Sequence, residues 1–138
     1  MSVDSSWNVQ TGVFNRLTAA SALTAQLAAG AGSVLDHVPQ GTAFPYLVLG
    51  EMECQPADSQ GFSGNDVTLT LHIYSQASGM KETHQIMSAV YDALHEAAFT
   101  VPNQTLVLCR CLGSATALEA DGLTRHGRQR FQIITEPA

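Results

Sequence analysis

Residues 66–74, Asp-Val-Thr-Leu-Thr-Leu-His-Ile-Tyr, alternate apolar and polar side chains without a break. Only a β-strand sends every second side chain to one face. Val67, Leu69, Leu71 and Ile73 are therefore expected to line a core, while Thr68, Thr70, His72 and Tyr74 face the other way. At about 3.3 Å per residue such a strand is about 30 Å long, and its cover has to be of similar length. A candidate follows directly. Residues 80–97 place Ile86, Val90, Ala93, Leu94 and Ala97 on one helical stripe, and Lys81, Gln85, Ser88, Asp92 and Glu96 on the opposite one. A helix of that extent is about 27 Å long.

The remaining segments sort around this pair. Residues 7–27 carry Val13, Phe14, Leu17, Leu23 and Leu27 at helical spacing. Ser5 or Ser6 can cap the start, Thr18 to Ser21 can divide the helix, with Thr18 or Ser21 capping the second piece, and Gly30 and Gly32 stop it. Residues 34–38 form a short extended piece closed by Pro39. Pro45 directs Phe44 to extended geometry and opens a strand over 46–52, with Tyr46 and Val48 on one face and Leu47 and Leu49 on the other. A strand apolar on both faces belongs inside a sheet. Residues 104–112 read as a strand with Leu106, Leu108 and Leu112 opposed to Val107, Cys109 and Cys111, and 124–134 as the last strand.

Residues 53–65 and 113–122 read as loops, the second with the alternative of a looser edge segment. The first is long for a hairpin connection, and its Phe62 either tucks back onto the domain or orders against a partner. The expected fold is α+β: a mainly antiparallel sheet of four to five strands, with two helices packed on one face and hairpins joining 46–52 to 66–74 and 104–112 to 124–134. No internal repeat or linker interrupts the chain, which reads as one domain, 1–138. Two strands apolar on both faces leave apolar surface on the uncovered side. Either a neighbouring subunit or the two loops would cover it.

Charge narrows the function. Only 13% of residues are charged against 45% hydrophobic, an unusually low charge share that suits a surface hidden against partners. The net charge of −6 argues against a phosphate-gripping surface. Four of the six basic residues are Arg110, Arg125, Arg128 and Arg130, near the C-terminal end. Cys54, Cys109 and Cys111 form no CxxC, and free, buried thiols are expected. The N-terminus lacks a basic, then apolar, signal pattern, and no apolar run approaches the length of a membrane span.

No catalytic constellation emerges. His37, His72, His84, His95 and His126 fit no HExxH or other metal-binding spacing, so neither a metal nor a cofactor is expected. Gly61-Phe62-Ser63-Gly64 lacks the strand-turn-helix context of a nucleophile elbow, Gly30-Ala31-Gly32-Ser33 lacks a dinucleotide-binding setting, and no phosphate-cradling GxxxxGK[ST] occurs. Glu119 and Asp121 read as a solvated carboxylate pair. Arg125, Arg128 and Arg130, with His126, form the strongest charge cluster. It reads either as a solvated sheet face or as an inter-subunit salt-bridge set meeting acidic loops such as Glu119–Asp121 of a neighbour; nucleic-acid binding is a third reading, without the aromatic interleaving of single-strand binders. Phe62, Glu119, Asp121, Arg125, Arg128 and Arg130 are thus the candidate partner-interface residues.

Four motifs carry a resemblance: Leu35-Asp36-His37-Val38-Pro39-Gln40, Phe44-Pro45-Tyr46-Leu47-Val48-Leu49-Gly50-Glu51, Leu69-Thr70-Leu71-His72-Ile73-Tyr74-Ser75 and Asp121-Gly122-Leu123-Thr124-Arg125-His126-Gly127. Over nearly its whole length the chain resembles the tail-terminator (tail-completion) proteins of long-tailed bacteriophages and of gene transfer agents, most of all the latter. The resemblance implies a virion structural protein without enzymatic activity: a six-membered ring at the head-proximal end of the tail tube. The ring would stop tube polymerisation, join the tube to the head connector and let double-stranded DNA pass. It also implies assembly in the cytoplasm of the producing cell and residence at the tail neck, with no membrane partner. A head-closure or connector ring is the related alternative; a small enzyme or ligand-binding module is the unrelated one.

Overall fold

The computed structural model describes residues 4–58 and 63–138. Helix α1 spans Ser6–Thr18, the one-turn helix α2 spans Ser21–Thr24, and a 3-10 turn over Gly30–Ser33 leads into β1, Val34–Leu35. Then follow β2 (Tyr46–Pro56), β3 (Asn65–Ser75), α3 (Lys81–Leu94), β4 (Gln104–Leu118) and β5 (Arg125–Pro137). The strands form one sheet in the order β1-β2-β3-β5-β4. β1 runs parallel to β2 and every other pair is antiparallel. The fold is α+β, with a mixed, mostly antiparallel sheet and three helices, the expected first helix being cut into α1 and α2.

The alternating strand is the central one, and all four of its apolar side chains are fully buried. From β5, Phe131 and Ile133 join them; from the helices come Val9, Val13, Leu17, Leu23, Ile86, Val90 and Leu94. Each such side chain contributes about 1.5–3 kcal/mol by leaving water. α1 seats against the chain beside β4 because Gly12 has no side chain: a Cβ there would lie 2.8 Å from the Thr100 carbonyl oxygen.

The expected serine and threonine caps are not formed. The Ser5 hydroxyl instead hydrogen-bonds Thr135 Oγ1 at 3.1 Å, tying the helix start to β5, and Asp4 Oδ1 accepts the Ser6 amide at 2.8 Å. Thr18 Oγ1 donates to the Phe14 carbonyl at 2.9 Å. The helix ends before Gly30, which sits in the 3-10 turn.

The larger departures lie in β2 and β4, which run on through Pro56 and Leu118 into segments expected to be loops. Three β-bulges account for this. In β2, Gly50 and Glu51 together oppose Thr70, so Leu49 and Met52 share the core face although they are three apart. In β4, Val107 and Leu112 are the extra residues. The first of these bulges moves Leu106 onto the core side with Cys109 and Cys111, whereas strict alternation assigns it to the opposite face. It also turns Val107 outward, where it is 51% exposed. β4 is an edge strand, and its apolar surplus is partly spent on the bulges. All three cysteines are free, but only Cys109 is fully buried; Cys54 and Cys111 are half-buried. Burial pushes the Cys109 thiol up to about 12, so it stays protonated and inert.

Candidate functional site

The helices cover one face of the sheet. Among the described residues the other face is open, and residues 53–56 and 113–118, expected in loops, are strand. The open face is far more polar than expected. Half-buried Val48, Leu108 and Ile134 share it with Thr70, His72, Tyr74, His126, Arg128, Arg130 and Gln132. Phe44, Tyr46, Tyr74 and His126 form a ladder of ring contacts across three strands, with centroids 5.0, 5.3 and 4.5 Å apart, the first two pairs tilted and the last stacked. The Phe44-Pro45 bond that starts this ladder is cis.

Beside the ladder four side chains form a continuous row. Glu51 Oε1 lies 2.5 Å from His72 Nε2, His72 Nδ1 lies 2.7 Å from His126 Nε2, and His126 Nδ1 lies 2.9 Å from Glu119 Oε1. Local structure builds it. The β2 bulge delivers Glu51 to the open face. Gly50 leaves room for the imidazole, since a Cβ there would meet His72 Cδ2 at 2.5 Å. His72 and His126 are diagonal neighbours on adjacent strands, within reach for rings. The hydrogen bond from His72 holds the Glu51 carboxyl below its ordinary value. Burial, then the neighbouring His72 and Arg128, push His126 below the usual imidazole value, against the pull of Glu119.

The six sequence-derived candidates separate here. Asp121 Oδ1 accepts the Leu123 and Thr124 amides at 2.9 and 2.8 Å and its Oδ2 accepts the Thr124 hydroxyl at 2.7 Å, which builds the β4–β5 turn and lowers the carboxyl pKa. Arg125 Nη1 donates to the Ala77 carbonyl at 3.0 Å and pins the β3–α3 connection. Glu119 belongs to the row. Arg128 and Arg130 alternate along β5 on the open face, exposed, and among the described residues neither has a hydrogen-bond or ion-pair partner. They line a shallow cleft of about 400 Å³ with Glu51, Thr70 and Ser114. Phe62 lies outside the described residues.

Sequence reasoning missed Glu51 and the pairing of the histidines. The signal was present in the strand alternation, which already put His72 on the polar face, but the bulge that re-aims Glu51 has no signature beyond Gly50. Exposed apolar residues lie elsewhere: Leu118 and Leu123 flank the turn at Glu119–Asp121, and Trp7, 70% exposed, overhangs a groove of about 430 Å³ with Phe14, Val34, Leu35 and Leu49. Among the described residues, no group of three His, Cys, Asp or Glu side chains is placed to hold a metal ion, and no helix is long and apolar enough to cross a membrane.

Comparison with known proteins gives a consistent picture. The family profile of tail completion protein gp17 matches residues 11–136. Tail completion protein gp17 of Bacillus phage SPP1 is 26% identical over 92 residues, covering 65% of this chain and 68% of that protein. A chain from the virion of a native gene transfer agent particle has the same fold, with a TM-score of 0.85, 22% identity and coverage of 96% of this chain and 97% of that one.

Proposed function

Because the chain belongs to the tail completion protein gp17 family, we propose that it works as a ring of six copies. The ring sits at the head-proximal end of a tail tube, halts tube growth and joins the tube to the head connector. The carrying observation is the family match over residues 11–136, supported by a fold that follows a gene-transfer-agent virion chain almost end to end. The whole chain acts as one unit, through contact and with no bond-breaking step. It assembles in the cytoplasm of the producing cell and ends at the particle's neck.

The chemistry supports this reading. Arg128 and Arg130 are exposed cations of an acidic chain, with no ion-pair partner among the described residues, and can meet carboxylates. The β4–β5 turn offers Glu119 and Asp121 flanked by exposed Leu118 and Leu123, an acidic and apolar tip suited to such a face. Six copies of a chain at −6 surround the lumen with net negative charge, so double-stranded DNA passes through without being held. Imaging the intact particle at side-chain resolution tests the proposal. Six copies between tube and connector are expected. A ring on the connector side of the joint favours the head-closure reading, and absence from the neck overturns the assignment.

A further inference from the structure

We propose that Glu51, His72, His126 and Glu119 form a relay holding one shared proton, and that this proton sets the charge of the open face and the strength of the contact Arg128 and Arg130 make there. The inference rests on the interface reading above for its consequence, but the relay itself rests only on the row.

Proton counting carries it. The three hydrogen bonds in the row need one hydrogen each, and the carboxylates supply none. The four ring nitrogens must therefore carry three protons, which makes one imidazole cationic and the other neutral. Two neutral rings would set a lone pair against a lone pair or abandon a carboxylate. Two cationic rings would set N–H against N–H across 2.7 Å. The charge is placed on His72, whose contact with Glu51, at 2.5 Å, is the shortest in the row, because hydrogen bonds between charged partners are shorter than neutral ones. His126 is then the neutral ring, donating from Nδ1 to Glu119 and accepting at Nε2. Burial and Arg128 oppose a positive charge on His126, while Glu119 pulls the other way; Tyr74 stacks on His126 at 4.5 Å, Tyr46 makes a tilted contact with Tyr74, Arg128 lies across from His72, and Glu51 and Glu119 close the ends.

In this state the row bears one net negative charge next to Arg128 and Arg130. Acidification forces a proton onto His126 Nε2, breaks the bond between the rings and neutralises the row. The arginines are left unopposed, so an acidic partner surface binds more tightly. The coupled pair takes up its protons in two separate steps.

Long-range proton–nitrogen NMR of both imidazoles, followed in the free chain from about pH 8 to about pH 4, reads this directly. His72 protonated on both nitrogens at neutrality, with His126 as its Nδ1–H form and a second uptake only below the ordinary imidazole range, is the expected result. Two rings titrating together as isolated groups overturn the relay. Glu51→Gln, checked for folding by thermal melting, removes the carboxylate that holds the shared proton and leaves both rings singly protonated at neutrality; a ring still carrying both protons also overturns it. Ring or tail joining of the wild-type chain should strengthen roughly fivefold or more on mild acidification, and that dependence should vanish in H72Q/H126Q. Acid-insensitive joining overturns the control of contact. None of the NMR results depends on where the protein sits in a particle, so imaging tests the ring reading separately.

Discussion

The two faces of this sheet divide the labour of the molecule. On the helix side, β3 and β5 present Val67, Leu69, Leu71, Ile73, Phe131 and Ile133, all closed off from water. On the open side the same two strands present His72, Tyr74, His126, Arg128 and Arg130. The first set has shape and no charge, so its contribution is stability through area and packing. The second set is charged, aromatic and half-exposed, and exposed polar groups contribute little to folding. One strand can serve both purposes because its side chains alternate, and a residue's position in that alternation decides which kind of loss its replacement causes.

Substitution can test this division. Phe131→Ala, at a fully buried position of β5, should cost about 3–5 kcal/mol, seen as a lower urea midpoint with an unchanged slope. Gly12→Val, which forces a side chain against the Thr100 carbonyl and Val101, should cost about 1–3 kcal/mol by overpacking on the same measurement. Acid comes next, and its sign follows from the lowered pKa of His126. The folded chain prefers that ring neutral, so its stability contribution is complete above the ordinary value of 6.5 and falls as pH drops from there through the lowered one. The Glu51 contribution is lost further down, below the ordinary carboxylate value of 4.5. Thermal melts across that range should show the decline in two stages. At the small end, Arg128→Glu with Arg130→Glu should change folding stability by no more than about 0.5 kcal/mol, while particles carrying it fail to join tails to heads. A large loss of stability in that double variant, or normal joining, would break the division between the faces.

Legibility in the sequence followed the same line. The buried face could be read because period-2 and period-3.6 patterns are imposed by the backbone: β3, β5 and α3 came out within a few residues of their ends, and the break after Thr18 was visible. β4 could not be read correctly. Its two bulges shift the alternation at Val107 and again at Leu112, so the rule that identifies a strand assigned Leu106 to the wrong face and ended the strand early. The open face was legible as a list and not as an arrangement. Arg128 and Arg130 were recognisable as a pair on one side of β5, but Asp121 and Arg125, adjacent in sequence to the same cluster, are occupied in shaping turns. The row from Glu51 to Glu119 joins residues from four strands or strand ends, and no local pattern brings these together.

The bulge at Val107 also bears on how this chain can change length. Leu106 faces Thr135 and Leu108 faces Ile134, so Val107 has no partner of its own. Deleting it should leave every cross-strand neighbour in place and give a folded protein with a straighter edge. Deleting Arg110, three residues on, would invert Cys109 relative to Cys111 and unseat the core. Insertions and deletions along this strand are therefore governed by parity, with the bulges as the points where a residue can come or go freely.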